Sequence, residues 1–316
     1  MKRGTVVILG IYVTDLAFRA ERMPLIGETI PGSAFAMGPG GKGSNQAVAA
    51  ARAGADVIFC TRIGADAFGE IAQSTWRAEG ITSRATVLEG VSTGAAHIYV
   101  DERTGGNAII VAAGAAGTLC PADVDAIEAD IADAAVFVTQ LEQPIPAAKR
   151  GLELARKHGA TTLFNPAPAL PLPDDIYPLC DYITPNETEA TALTGIAITS
   201  ADDARRAADA LLAKGARAVI VTLGEAGALL HSAEESVLVP AFDCGRVVET
   251  AGAGDGFTGG FAAALARGAS PSDAVRFGCA LASLSVTRAG TAPSMPTLDE
   301  INAVLGERRA AVSNGA

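Results

Sequence analysis

The sequence predicts an α/β protein in which a mainly parallel β-sheet is covered on both faces by helices, a three-layer αβα sandwich. Short apolar or β-branched runs alternate with longer helical patterns along the chain. Hydrophobic residues make up 49% of its 316 residues and aromatic residues only 5%, so alanine supplies much of the apolar content. Such a composition suits helices packed closely on a sheet. Two stretches that interrupt the alternation predict a small second sheet.

The predicted strands are short runs bounded by Gly, Pro, Asn or Asp, as is typical of strands buried in a parallel sheet. They lie at 5–10, 56–64, 134–140, 160–165, 181–185 and 218–224. Helical patterns lie at 44–53, 67–79, 121–132, 145–158, 186–193, 201–214, 254–267 and 271–287. A hairpin is predicted within 226–248. The alternation indicates right-handed crossover connections within one sheet.

Residues 11–37 and 91–112 carry strand-like pieces with hairpin-type turns. They predict a small accessory sheet at one edge of the main sheet, although two ordinary surface hairpins explain the pattern equally well. No internal repeat or linker interrupts the chain. We therefore expect a single domain over 1–316, with a lid formed by these two stretches.

Composition argues against several classes of protein. The chain has 24 basic and 35 acidic residues, a formal net charge of −11, and no basic run interleaved with aromatics, which disfavours nucleic-acid binding. No apolar stretch reaches 18 residues, which predicts that no segment spans a membrane. Three well-separated histidines disfavour a zinc site. The cysteines form no CxxC pair and are interpreted as reduced thiols of a cytoplasmic protein: Cys60, Cys120, Cys180, Cys244 and Cys279.

Polar and glycine-rich stretches follow the predicted strands. They include GPGGKG at 38–43, QLEQP at 140–144, NPAPA at 165–169, TPNETEA at 184–190 and TLGEAGA at 222–228. Ligands of an open parallel sheet gather at the carboxyl ends of its strands. The convergence predicts a functional site at that edge.

Residues 249–261, ETAGAGDGFTGGF, lead small residues directly into a predicted helix. The amides of Gly252, Ala253 and Gly254 would then form an anion site at the helix N-terminus. Asp255 lies in the first turn, where a carboxylate commonly caps the helix. Beside an amide cradle it could also act as the general base that takes a hydroxyl proton during attack on a phosphoryl group.

Asn186 and Glu189 are three residues apart on one face of a predicted helix, which is a common capping pattern. Near a phosphate site the same pair could hold a hydrated Mg²⁺, which often takes a single protein carboxylate. Glu142 is either a solvated loop charge or an acceptor for a substrate hydroxyl. The chain has neither a Walker loop nor the fingerprint of a Rossmann dehydrogenase, so the dehydrogenase is set aside.

The stretches GGKGSNQAVAAARAGADVIFCTRIG (40–64) and TAGAGDGFTGGF (250–261) resemble the two signatures of the PfkB carbohydrate kinase family. Within that family the chain is most similar to the ribokinases, from the first strand to VTRAGTAPSMP at 286–296. GETIPG, QLEQP, NPAPA, ITPNETEATALTGI and VTLGEAG match in order. The resemblance implies a ribokinase-like αβα sandwich and a β-sheet lid that also forms a homodimer interface; the alternative is a monomer.

The resemblance implies ATP-dependent phosphorylation of the primary hydroxyl of a pentose, D-ribose to D-ribose 5-phosphate. Alternatives are another sugar (2-deoxyribose, fructose or another hexose), a nucleoside such as adenosine, or a non-catalytic sugar or nucleotide sensor. By resemblance Asp255 is the base, and the amides of Gly252, Ala253 and Gly254 are the anion hole. Sugar-binding positions are Val13, Asp15, Gly41, Lys42, Gly43, Asn45, Glu142 and Asp255.

The resemblance also implies cofactor positions. ATP would contact Asn186, Glu189, Thr222, Gly224, Gly227, Gly254 and, near the adenine, Cys279. Glu189 would bind Mg²⁺ through water. The family's K⁺ site would fall at the carbonyls of Glu249, Ala251, Ser285, Arg288, Gly290 and Ser294.

Three positions depart from the ribokinase pattern: Val13 replaces an Asn, Glu249 an Asp and Thr258 an Asn. Val13 removes a hydrogen-bonding group from the sugar site. Loss of one polar contact in a buried site changes preference between substrates by about 1–3 kcal/mol. A sugar that lacks one hydroxyl is therefore an alternative substrate, and the longer Glu249 side chain is expected to alter the K⁺ dependence.

Overall fold

The computed structural model describes residues 4–313. Its strands are β1 (Thr5–Leu9), β2 (Val13–Ala20), β3 (Ala34–Gly40), β4 (Asp56–Gly64), β5 (Thr82–Leu88), β6 (Thr93–Asp101), β7 (Asn107–Gly114), β8 (Val136–Thr139), β9 (Thr161–Phe164), β10 (Tyr182–Ile183), β11 (Ala218–Thr222), β12 (Ala228–Ser232) and β13 (Ser236–Val239). Its helices are α1 (Lys42–Arg52), α2 (Ala67–Ala78), α3 (Pro121–Asp125), α4 (Glu128–Ala132), α5 (Ile145–His158), α6 (Glu187–Thr194), α7 (Ala201–Ala213), α8 (Ala253–Ala266), α9 (Pro271–Ser285) and α10 (Leu298–Ser313).

The larger sheet has the strand order β13-β12-β11-β10-β9-β8-β1-β4-β5. Neighbours from β11 to β5 are parallel, and β12 and β13 add an antiparallel hairpin at one edge. Alternate residues of β1 serve the two faces: Val6 and Ile8 pack with α1, α8 and α9, while Val7 and Leu9 pack with α5 and α7. The predicted mainly parallel sheet, covered on both faces, is confirmed.

Three elements differ from the sequence-based expectation. The edge strand β5 was not predicted, because its sequence TSRATVL is mostly exposed and has no apolar run. The helix predicted at 121–132 is two short helices, α3 and α4, separated at Ala126 and Ile127. The helix α10 was not predicted either. The strand β5 and the short helices α3 and α4 bury few apolar residues, so periodicity marks them weakly.

The smaller sheet has the order β3-β2-β6-β7, and its central pair, β2 and β6, is parallel. It forms from the two stretches that interrupt the alternation, and its strands extend slightly beyond them, to Gly40 and Gly114. Side chains alternate across β2. One face carries Val13 and Asp15, and the other carries Leu16 and Phe18.

Close packing of α1 against α8 joins the two signature stretches. A Cβ atom at Gly259 of α8 would lie 2.6 Å from the carbonyl oxygen of Gln46 in α1. Because the two backbones approach this closely, the side chains of α1 reach the first turn of α8. The candidate active site lies at this junction.

Candidate active site

A cavity of about 200 Å³ lies where the carboxyl ends of β9, β10 and β11 face the N-terminus of α8. Many predicted site residues meet there. Its lining is Lys42, Asn165, Ala167, Thr184, Asn186, Glu189, Thr222, Thr250, Gly252, Gly254, Asp255 and Thr258.

Asp255 is buried, with 5% of its surface exposed, yet it faces this cavity. Asn45 Nδ2 donates to its Oδ2 at 3.0 Å, and Gln46 Nε2 donates to its Oδ1 at 3.2 Å. Both donors come from α1, so this carboxylate is not simply a helix cap. The two amide donors, one on each oxygen, restrict the rotation of this carboxylate.

The N-terminus of α8 begins from Gly252, whose φ of 80° is left-handed. A Cβ atom at Gly252 would also lie 3.2 Å from Thr291 Cα, so glycine suits both the turn and the packing. Of the three amides predicted for the anion hole, that of Ala253 donates to the Thr250 carbonyl at 3.2 Å. Gly252 and Gly254 line the cavity, and Gly254 is exposed.

Lys42 and Glu142 are in contact beside Asp255. The Lys42 main-chain N–H donates to Glu142 Oε2 at 2.7 Å. The charge of Asp255, with smaller contributions from Glu142 and Glu189, raises the pKa of Lys42, so its ammonium group stays charged. Burial raises the pKa of Glu142 to about 7, and the nearby charges of Asp255 and Asp15 add to the effect.

Asp15 lies on β2 and faces the same region. Its Oδ2 accepts a hydrogen bond from Thr291 Oγ1 at 3.3 Å. Burial raises its pKa to about 6, with a smaller contribution from the charges of Asp255 and Glu249. A Cβ atom at Gly40 would lie 2.1 Å from Asp15 Oδ1, so Gly40 leaves the space that this carboxylate occupies.

Val13 lies two residues before Asp15, on the same face of β2. It is 3% exposed and packs with Ile11, Ala96 and Ala116. The part of the small sheet nearest the site is therefore apolar at this position.

The glycine-rich run at 40–43 is explained by approaches of the chain to itself. Gly41 has a φ of 86°, and a Cβ atom there would lie 2.7 Å from the Ile11 carbonyl oxygen. A Cβ atom at Gly43 would lie 2.7 Å from Gly10 Cα. Packing of α1 against the turn after β1 accounts for both glycines, whether or not a ligand approaches them.

Asn186 and Glu189 form a capping box at the start of α6. Asn186 Oδ1 accepts from the Glu189 N–H at 2.8 Å, and Glu189 Oε2 accepts from the Asn186 N–H at 2.9 Å. Burial raises the pKa of Glu189. The capping interpretation is thus correct, and both residues also line the cavity.

The predicted nucleotide positions near β11 have structural constraints of their own. Thr222 bridges to Asn186 at the cavity. Gly224 and Gly227 have φ values of 52° and 97°, and a Cβ atom at Gly227 would lie 2.0 Å from the Val239 carbonyl oxygen. Cys279 is buried on α9. It lies outside the lining of the cavity.

The predicted K⁺ positions lie on two adjoining segments, 249–251 and 285–294. The N–H groups of Val248 and Glu249 both donate to the Val286 carbonyl, which joins the segments. Glu249 Oε2 accepts from the Gly290 N–H at 2.8 Å. The hydroxyls of Ser285 and Ser294 are buried and donate to nearby carbonyls, and the Arg288 side chain pairs with Glu300. Ala251 is half-buried.

Four polar residues of the site were not predicted. Gln46 and Asn165 form buried hydrogen bonds around Asp255, Thr291 contacts Asp15, and Gln140 donates to Gln46. The available signal in the sequence was a glutamine, Gln46, at the start of the alanine-rich stretch that forms α1. Thr258, whose role the sequence left open, donates to the Gly254 carbonyl at 2.9 Å and lines the cavity.

A larger cavity, of about 390 Å³, lies at the opposite edge of the sheet, where β9, β10 and β11 begin. Arg156 and Arg217 line it, and both donate to Asp181 Oδ1 at 2.9 Å. It contains none of the predicted site residues. Its size alone does not mark it as the active site.

Within residues 4–313, no helix is long and apolar enough to cross a bilayer, and no three His, Cys, Asp or Glu side chains cluster as a metal site.

Comparisons with known proteins identify the family and the fold. A model of the pfkB family carbohydrate kinases matches residues 3–298. Ribokinase of Haemophilus influenzae is 38% identical over 299 residues, 94% of this chain and 97% of that protein. Deoxyribokinase of Salmonella typhimurium is 38% identical over 304 residues, 95% of this chain and 98% of that protein. Ribokinase of Arabidopsis thaliana, solved as a complex with ribose and ATP, superposes with a TM-score of 0.87 at 28% identity, covering 96% and 98% of the two chains. The protein has the ribokinase-like αβα fold and belongs to the PfkB family of carbohydrate kinases.

Proposed function

We propose that the protein is an ATP-dependent sugar kinase that phosphorylates the primary hydroxyl of a pentose, converting D-ribose to D-ribose 5-phosphate. The observation that carries the proposal is the Asp255 carboxylate, buried, held by two amide donors and facing a cavity at the N-terminus of α8. The names of the relatives, ribokinase and deoxyribokinase, support a pentose as substrate.

Asp255 takes the proton of the primary hydroxyl while the hydroxyl oxygen attacks the γ-phosphorus of ATP. The bond from that phosphorus to the bridging oxygen breaks, and ADP leaves. The amides of Gly252 and Gly254 stabilise the charge on the transferred group at the helix N-terminus. Lys42, which lines the same cavity and stays protonated, adds a positive charge. Catalysis is then mostly positioning and electrostatics.

The sugar lies between the small sheet and α1, where Asp15, Asn45 and Glu142 supply acceptors and donors for its hydroxyls. The small sheet acts as a lid that excludes water, which otherwise competes for the phosphoryl group. With their pKa values near 6 and 7, Asp15 and Glu142 are strong acceptors only when the pH lies above that range.

Cations fit the acidic surroundings of the site. Glu189 uses Oε2 in the capping box, and its other oxygen is available to a hydrated Mg²⁺, which neutralises phosphate charge when bound. The carbonyl and hydroxyl oxygens of the segments 249–251 and 285–294 suit K⁺, a hard cation. Omission of K⁺ is expected to lower turnover. A cytoplasmic location agrees with the thiols of Cys60, Cys120 and Cys180.

A second candidate substrate is 2-deoxy-D-ribose. Val13 places a buried apolar side chain beside Asp15. Such a side chain lowers the binding affinity less when the sugar carbon next to it carries no hydroxyl, because no hydrogen bond is then lost. One relative that is 38% identical is a deoxyribokinase.

The protein forms a homodimer through the lid. The face of the small sheet opposite Asp15 exposes Phe18, Phe35, Met37 and Ile110. Phe18 and Phe35 also pack together, with ring centroids 4.8 Å apart. A second copy of this chain would bury this apolar patch. A monomeric mass in solution at micromolar concentration contradicts the pairing.

A coupled assay of ADP release tests the function across ribose, 2-deoxyribose, other pentoses, hexoses and adenosine, with and without K⁺. We expect the highest kcat/KM on ribose, followed by 2-deoxyribose. The reverse order supports the second candidate, and preference for adenosine or fructose excludes both. Sugar binding without ADP release identifies a sensor.

A further inference from the structure

A chain of buried side-chain amides runs from Asp255 to the main chain at the end of β10. Gln46 is fully buried, and its Nε2 donates both to Asp255 Oδ1 and to Asn165 Oδ1, each at 3.2 Å. Asn165 Nδ2 donates to the Thr184 carbonyl at 2.8 Å. Gln46 Oε1 accepts from Gln140 Nε2 at 2.5 Å. The chain connects α8 to α1 and to the ends of β8, β9 and β10.

The acceptors at its two ends determine the direction of every amide in the chain. The Thr184 carbonyl can only accept, so Asn165 presents its NH₂ group there and its oxygen to Gln46. An ionised Asp255 can also only accept, so Gln46 directs its NH₂ group between Asn165 and Asp255. Its oxygen then requires a donor, which Gln140 supplies. These orientations match a carboxylate that accepts a hydrogen bond on each of its two oxygens.

We propose that Gln46 is a positioning residue, which holds the Asp255 carboxylate in its reactive orientation through the amide chain anchored by Asn165 and Gln140. The inference rests on the proposed function, because it concerns the same base. Asp255 stands in the first turn of α8, directly after the irregular segment 240–252. The helix that carries Asp255 therefore begins at the site. Hydrogen bonds from Asn45 and Gln46 of α1 hold the carboxylate, and Gln46 is in turn held by side chains at the strand ends.

The close approach of α1 and α8 makes this contact possible. Gly259 brings the Gln46 backbone against α8. Adjacent residues of a helix point about 100° apart. Asn45 and Gln46 nevertheless bind different oxygens of the same carboxylate. The sugar hydroxyl then approaches a carboxylate whose rotation is already restricted.

Other charged groups surround Asp255 and contribute to the pH dependence. They are Lys42 of α1, Glu142 after β8, Asp15 of β2 and Glu189 of α6. The side chain of Gln46 is hydrogen-bonded to Asp255, Asn165 and Gln140, and not to these four charged groups. A difference in pH profile between wild type and a Gln46 variant therefore reports on Asp255.

The test compares Gln46→Met with Gln143→Met in the full-length protein. Gln143 is also buried, and its Nε2 donates to Thr139 Oγ1 and the Gln140 carbonyl, both at 2.7 Å, without contacting Asp255. Both substitutions remove a buried amide of similar size, and both are expected to lower Tm. For Gln46→Met we expect kcat to fall about 10-fold to 100-fold, part of the roughly 100-fold to 10,000-fold that a general base supplies.

The acidic limb of the pH–kcat profile is the diagnostic measurement. In Gln46→Met it is expected to move to higher pH, because a hydrogen-bond donor to the Asp255 carboxylate is lost. The KM for the sugar should change less than about threefold, since the lost interaction acts on the base. Gln143→Met should retain the wild-type profile.

Gln46→Glu provides a second variant if Gln46→Met does not fold. It retains the oxygen that accepts from Gln140 but presents a carboxylate to Asp255, so the acidic limb should move at least as far. If the folded variants of Gln46 share the kcat and pH profile of Gln143→Met, the amide chain is only structural and the inference fails. An inactive wild type overturns the proposed function, and this inference with it.

Discussion

One cavity lies at the amino ends of the strands of the large sheet and another at their carboxyl ends, and the charged side chains of the two cavities are paired differently. At the amino ends of the strands, Arg156 and Arg217 both pair with Asp181 in the larger cavity. At the carboxyl ends, Lys42 lies among Asp255, Glu142 and Glu189, and burial raises the pKa of both glutamates. In the first arrangement both arginines already have a carboxylate partner. The second concentrates negative charge around one lysine, a costly arrangement that an incoming cation or hydrogen-bonding ligand relieves. The contrast shows that the use of polar groups, and not cavity volume, identifies the candidate site.

A substitution in the cavity at the carboxyl ends of the strands should have the largest effect on kcat. Asp255→Asn removes the base and is expected to lower kcat by about 100-fold to 10,000-fold. Circular dichroism and Tm should show that the protein remains folded. Coupled ADP release measures the loss, and near-normal turnover in this variant contradicts the assignment of the base.

Glu142→Gln should impair sugar binding while relieving buried charge. Loss of the charged acceptor is expected to raise the KM for the sugar about 10-fold to 100-fold. The folded pKa of Glu142, about 7, lies above its unfolded value, so the folded state loses stability relative to the unfolded state as the pH rises from about 4.5 to 7. Glutamine has no charge to bury.

Thermal unfolding checks the sign of this effect. The Tm of Glu142→Gln relative to wild type should be higher at pH 8 than at pH 5. If the difference in Tm is the same at both pH values, the titration assigned to Glu142 is wrong.

Val13→Asn should change the preference between ribose and 2-deoxyribose, and its effect should be smaller than those of the substitutions at Asp255 and Glu142. An amide beside Asp15 offers a partner to a hydroxyl of ribose that 2-deoxyribose lacks, so the ratio of kcat/KM for ribose over 2-deoxyribose should rise about 5-fold to 30-fold. Val13→Ala, which adds no polar group, serves as the control. An unchanged ratio in both variants removes Val13 from the sugar site.

A substitution in the cavity at the amino ends of the strands should have the smallest effect on stability and activity. Arg217→Ala removes one of the two guanidinium partners of Asp181, and Arg217 is 71% exposed, so less than about 1 kcal/mol of stability should be lost. The kcat and KM should match those of wild type. A tenfold loss of kcat without unfolding would mean that the two ends are coupled, and the contrast drawn between them would fail.

Much of the fold could be predicted because buried strands and amphipathic helices have strong local patterns. The runs that became β1, β8 and β11 are short, mainly apolar and buried, since helices cover them on both faces. The strand β5 could not be found in this way. It lies at the edge of the sheet with most residues exposed, and only its pairing with β4 defines it.

The residues of the candidate site were predicted partly from short local motifs and partly from the resemblance to the PfkB family. The capping box of Asn186 and Glu189 is a local pattern and was recognised as one possible role. Gln46, Asn165 and Thr291 were missed. Each acts through a partner more than 100 residues away in the sequence, which no local pattern encodes.

The sequence alone determined the layered α/β class and the edge of the sheet at which the candidate site lies, because hydrophobic periodicity and turn residues are written into consecutive positions. It left the small second sheet open against two surface hairpins, and the strand pairing of the folded chain decided between them. Only the tertiary structure decided which polar groups meet. Asn45 and Gln46 bind the two oxygens of Asp255 because α1 and α8 approach at Gly259. It also decided that packing of the chain against itself accounts for Gly41 and Gly43. Contacts between distant segments depend on how helices and strands pack, and short-range sequence patterns do not specify that packing.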